Sequence, residues 1–82
     1  MTLLELWFYG TSMTLAKYLR KKRAKKGQTQ KQAAAEVGVS HQAWMAWERG
    51  TIPLATRLPQ IADWAGVSLN GLRFYLEKSL DD

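Results

Sequence analysis

Few side chains in this sequence could do covalent chemistry. There is one histidine, His41, and no cysteine. Without a thiol there is no cysteine nucleophile, no disulfide framework and no Cys/His zinc site. No glycine-rich loop is built to cradle a phosphate, and His41 has no carboxylate at a catalytic spacing. No enzyme activity, metal or cofactor is therefore expected. The sequence offers hydrogen bonding and charge instead. Gln42, beside His41, carries an amide with one donor and one acceptor side by side. That pair matches the N6 donor and N7 acceptor on the major-groove edge of adenine.

Charge points the same way. Of the 12 basic side chains, ten lie in residues 13–57, against only Glu36 and Glu48, so this block carries +8. The rest of the chain has two basic and five acidic residues, or −3, which leaves +5 overall. A basic block with a mildly acidic remainder suggests a polyanion on one face. A solvated lysine face would have the same composition. The cluster at 21–26 reads as such a face, adding general attraction rather than specificity.

These residues must be positioned by short helices. At 82 residues the chain is one domain. Residues 14–26 read as a first helix with Leu15, Tyr18 and Leu19 inside, ended by Gly27. Residues 29–37 read as a second, because Thr29 and Gln32 have capping-box spacing. Gly38 breaks it and Ser40 caps a third helix running to about Glu48, with Trp44 and Trp47 one turn apart on its inner stripe. Residues 51–57 read as a loop. Pro59 suits the first turn of a fourth helix that carries Ile61, Ala62 and Ala65. Ser68 caps a fifth, with Leu69, Leu72, Leu76 and Leu80 beside Phe74 and Tyr75. The expected fold is all-α, a compact five-helix domain over residues 13–82. Residues 1–12 form a separate apolar arm, with Leu3, Leu4, Leu6, Trp7, Phe8 and Tyr9 in a run short enough for a strand. No apolar run reaches the roughly 18 residues of a membrane span. Segment 1–12 lacks the features of a signal peptide, so a cytoplasmic protein is expected.

In residues 29–50 two short helices meet at a tight turn. Ala34 is small enough for a close crossing, Gly38 tolerates a positive φ, and Val39 fills the gap. If Trp44 and Trp47 face the core, then His41, Gln42, Met45 and Ala46 face outward on a rigidly held helix. The set Gln30, Ala34, Gly38, Val39, Ser40, Trp44, Trp47, Glu48 and Gly50 resembles the helix-turn-helix of the lambdoid phage repressor and Cro family, within the xenobiotic-response-element-like regulators. The likeness runs from about Leu15 to Leu72. It implies that the helix starting at Ser40 enters the major groove of double-stranded DNA. It implies base contacts from His41, Gln42, Met45 and Ala46, where Ala46 offers only a methyl group. Phosphate contacts are implied for Gln30, Ser40, Arg49, Thr51 and Arg57. Arg23 and Glu48 match positions that form an internal ion pair in some members.

One such helix reads only about four base pairs, so a homodimer on a palindromic operator is expected. Helix 5 carries more apolar surface than one small core needs. Leu72, Phe74, Tyr75 and Leu76 are the expected interface, with the apolar arm as a candidate addition. A Cro-like repressor, a restriction-modification controller and an autoregulating antitoxin fit this length equally. A protein-interaction module that masks a toxin is the competing class, and the apolar run at residues 3–9 is the feature in its favour.

Overall fold

The computed structural model describes residues 14–81. The apolar arm at 1–12 lies outside the described residues. Five α-helices follow in order: α1 Leu15–Lys25, α2 Gln30–Val37, α3 His41–Glu48, α4 Leu58–Ala65 and α5 Leu69–Asp81. A turn of 3-10 helix, Ala55–Arg57, leads into α4 within the stretch expected to be loop. No strand occurs among the described residues, and the domain is all-α. None of the described helices is long and apolar enough to cross a membrane.

Threonine and serine hydroxyls set where the helices begin. Thr14 and Thr29 keep extended backbone and act as caps, so α1 and α2 start one residue later than the sequence runs. At Thr29 the capping box is complete. The Gln32 backbone N–H donates to Thr29 Oγ1 at 3.1 Å, and the Thr29 N–H donates to Gln32 Oε1 at 2.8 Å. Two backbone donors that the helix start would leave free are thereby satisfied. Pro59 lies in the first turn of α4, where its missing N–H costs nothing.

The α2–α3 turn depends on Gly38, whose φ is +90°. A Cβ there would meet nothing within 4 Å, so backbone conformation rather than crowding demands glycine. The N–H groups of Gly38 and Val39 both donate to the Ala34 carbonyl at 2.9 Å, which closes the end of α2.

One core unites the helices. Leu15 and Leu19 of α1, Ala33, Ala34 and Val37 of α2, and Trp44 and Trp47 of α3 meet Ile61, Ala62, Trp64 and Ala65 of α4. Three indoles form its centre. Trp44 packs edge-on to Trp64 at 4.9 Å and tilted against Trp47 at 5.7 Å. Trp64 was not among the residues expected to line α4.

Helix α5 corrects one expectation. Leu72 is fully buried within the subunit and belongs to this core, not to an outer interface. Phe74 and Leu80 are 52% and 66% exposed, Leu69 is also exposed, and Tyr75 and Leu76 are half-buried. The 3.6-residue period explains the split. Leu72 and Phe74 are two residues apart, so they take nearly opposite sides of the helix. The C-terminal half of α5 is fastened to the start of α1. The Leu15 N–H donates to Ser79 Oγ at 2.8 Å, and Tyr18 stacks on Tyr75 at 4.2 Å. Burial, followed by the facing Tyr75, raises the Tyr18 pKa above its ordinary value.

Candidate nucleic-acid interface

Helix α3 is anchored on one side and open on the other. Ser40 caps it by accepting a hydrogen bond from the Ala43 N–H at 3.1 Å. Trp44, Trp47 and Glu48 are its buried residues. At 100° per residue, the line opposite these three runs through Gln42, Ala46 and Arg49, with Met45 beside it. Gln42 and Arg49 are exposed, and Met45 and Ala46 are half-buried. His41 is half-buried on the flank of this stripe, so Gln42 is better presented than its neighbour. Among the described residues, the Gln42 amide makes no hydrogen bond.

A carboxylate locks the rear of α3. Glu48 is only 4% exposed. It accepts from Arg23 Nε at 2.7 Å, Arg23 Nη2 at 3.2 Å and Gln30 Nε2 at 3.2 Å, and also from the indole N–H of Trp44. Arg23 in turn donates to the Gln28 carbonyl at 3.1 Å. One carboxylate thus joins α1, the first turn of α2 and α3. Burial alone would raise the Glu48 pKa, but the donors from Arg23, Trp44 and Gln30 together hold it below the ordinary carboxylate value. Arg23 and Glu48, paired above on resemblance, form an ion pair between α1 and α3.

This network changes the description of Gln30. Its side-chain amide is engaged with Glu48, so what α2 offers outward at that point is its N-terminal backbone and the positive end of its dipole. Ser40 is likewise exposed, with its hydroxyl occupied in capping.

The segment after α3 forms a second wall. The Thr51 N–H donates to the Ala46 carbonyl at 3.0 Å, holding this stretch against the helix end. Pro53 is buried, while Thr51, Leu54 and Arg57 are exposed. A groove of about 430 Å³ runs between α3 and this segment, lined by Ala43, Ala46, Thr51, Ile52, Leu54 and Arg57 among others. Thr51 and Arg57 therefore lie along one flank of the open stripe, which Arg49 closes at its end.

Two short helices, joined by a positive-φ glycine, present one open face of the second helix, and the helix-turn-helix domain family matches residues 14–73. The chain belongs to the helix-turn-helix domain family. No match was found among curated proteins or among solved structures. In a helix-turn-helix domain the second helix of the pair meets DNA, and such domains serve transcription regulation. Double-stranded DNA is the partner this family implies. Among the described residues no cluster of His, Asp or Glu is arranged to hold a metal ion.

Sequence reasoning missed a second polar tie. Trp64 Nε1 donates to Gln28 Oε1 at 3.0 Å, while the Gln28 amide donates to Glu36. Lys26 Nζ reaches the Trp64 carbonyl at 2.7 Å and Glu36 at 3.4 Å. This network fixes the α1–α2 connection to the end of α4. Trp64 follows Ile61 by three residues, a core-facing spacing that could have revealed it. Nothing in the sequence marks Gln28 as its partner.

Proposed function

We propose that this helix-turn-helix domain is a sequence-specific transcriptional regulator of the Cro-like kind that reads the major groove with α3. The observation that carries this is the open stripe Gln42–Ala46–Arg49 directly opposite the buried Trp44, Trp47 and Glu48. A helix anchored by two indoles and a carboxylate with several donors cannot roll, so its outward side chains meet a duplex in a fixed register. Gln42 recognises adenine through its paired donor and acceptor. Met45 and Ala46 make apolar contacts in the next turn, and His41 acts from the flank. Gln30 and Ser40 at their helix starts, with Arg49, Thr51 and Arg57, position the domain on phosphates.

The active species is a homodimer on a palindromic operator. Phe74, Tyr75 and Leu76 supply its contact, with exposed Leu80 extending the same helix. Leu72 has no part in this contact because it is enclosed within the subunit. The runner-up reading is an antitoxin that masks a toxin, for which the apolar run at residues 3–9 is the sequence feature.

Selection of bound sequences from a random duplex pool tests the reading. A recovered inverted repeat with an adenine that loses its preference in Gln42→Ala supports it. The substitution should cost about 1–3 kcal/mol on the selected site and little on random DNA. Equal losses on both would show that Gln42 is not a reading residue. Affinity for any duplex should also fall steeply with salt as phosphate counterions are released, and a flat dependence would remove DNA as the partner.

A further inference from the structure

Helix α5 is not the only place where large apolar side chains meet water. Leu69, Phe74 and Leu80 are exposed on α5, but Ile52, at 37%, and Leu54, at 73%, are exposed in the segment after α3. Both line the groove of about 430 Å³ whose other wall is Ala43, Ala46 and Trp47 of α3. Pro53, buried between them, and the Thr51 N–H, bonded to the Ala46 carbonyl at 3.0 Å, fix this wall in place. Exposed leucine and isoleucine forgo a burial energy that anything covering the groove would recover.

The charges around the groove narrow down what covers it. Residues 50–56 carry no charge, and Arg49 and Arg57 bracket them. Both arginines are exposed, and among the described residues neither side chain has a hydrogen bond or ion pair. Cations at the two ends suit phosphates, whereas the apolar stretch between them suits sugars and base edges. The groove is also continuous with the open stripe of α3, because Ala46 belongs to both. Thymine alone among the four bases presents a methyl group in the major groove. Cytosine presents an amine instead, which would lose water against this wall and find no acceptor on its apolar side chains. The volume exceeds that of one methyl group, comparable to the ~30 Å³ share of a water molecule, so the adjoining deoxyribose enters with it.

We propose that this groove is a thymine-reading site, in which Ile52 and Leu54 close over a C5-methyl group against Ala43 and Ala46. The inference rests on the function proposed above and deepens it. Ile52 and Leu54 become specificity-determining residues, and the preferred operator carries a thymine beside the adenine that Gln42 reads.

The test takes the selected duplex and replaces its thymines one at a time by deoxyuridine, which keeps every pairing group and removes only the methyl. At the thymine in the groove, wild-type affinity should fall about fourfold, the factor given by burial of one methyl-sized group. Leu54→Ala should bind the thymine duplex about fourfold more weakly and no longer distinguish uracil from thymine, and Ile52→Thr should reduce the distinction. Leu54 is exposed, so unchanged thermal melting verifies the fold of its variant. Cytosine at the same position should weaken binding, and 5-methylcytosine should recover about fourfold of the loss. Equal binding of cytosine and 5-methylcytosine would assign the uracil effect to duplex shape and overturn the proposal. A uracil effect that persists in both variants overturns it as well, by placing the methyl outside the groove. Uracil equal to thymine at every position, with the adenine preference still dependent on Gln42, overturns this inference and leaves the reading-helix assignment standing. A wild type that binds no duplex, or all duplexes alike, overturns both.

Discussion

Helices α3 and α5 are held by opposite means. Helix α3 is eight residues long, and two indoles and a carboxylate with donors from three helices fix its inner side. Helix α5 is thirteen residues long and buries Leu72 fully, with Tyr75 and Ser79 as ties to α1. The short helix is over-determined in its rotation, and the long one leaves aromatic and aliphatic surface uncovered. A helix whose side chains must match a groove to within a hydrogen-bond length needs the first treatment. A helix whose outer face can serve as a contact between subunits tolerates the second.

Trp44 is where this contrast breaks most visibly. Trp44→Ala removes the hub of the three-indole cluster and one donor to Glu48, and should destabilise the fold by about 3–5 kcal/mol in denaturant titration. A cost below about 1 kcal/mol would mean that α3 is not anchored as described. Helix α5 supplies an internal contrast. Leu72→Ala should cost about 2–5 kcal/mol as a core truncation, whereas Phe74→Ala should change subunit stability by about 0.5 kcal/mol or less. Phe74→Ala should instead shift sedimentation toward monomer. A dimer untouched by this change places the interface elsewhere.

The Glu48 network comes next in size. Arg23→Ala leaves a buried carboxylate short of its strongest donor, so its cost should exceed the roughly 0–1 kcal/mol of a surface pair. A double-mutant cycle with Glu48→Gln should show coupling, and a zero coupling energy would reduce the pair to mere proximity. The pH dependence follows from the lowered Glu48 pKa. A carboxyl held below its ordinary value of 4.5 contributes stability that is present above that pH and lost as pH falls through the folded value. Acid unfolding should therefore weaken in Glu48→Gln, read as a flatter stability profile below about pH 4.5. The smallest effect on stability belongs to Gln42→Ala, about 0.5 kcal/mol or less for an exposed side chain. A larger loss would show that Gln42 supports the fold rather than reads DNA.

Local chemistry made most of the helix-turn-helix legible. The Thr29–Gln32 box, the serine caps, Gly38 and the Trp44–Trp47 spacing each act over a few residues, and each has its expected structure. The side of α5 was less legible. Its sequence is apolar at 69, 72, 74, 75, 76 and 80, so more than one stripe fits, and only packing against α1 and α4 selects the one through Leu72. Gln30 shows the limit at a single side chain. Its position at the start of α2 is local, but its hydrogen bond is to a residue eighteen positions away.

The sequence by itself determined the five helices and the residues that cap and break them. Caps, turn glycines and a 3.6-residue apolar period are short-range constraints, written where they act. The tertiary structure alone decided which long-range partners close the domain: Trp64 on Trp44 and Gln28, Ser79 on the start of α1, and Leu72 inside rather than outside. These choices follow from how the helices fill a common volume without voids, and close packing is a property of all the helices together.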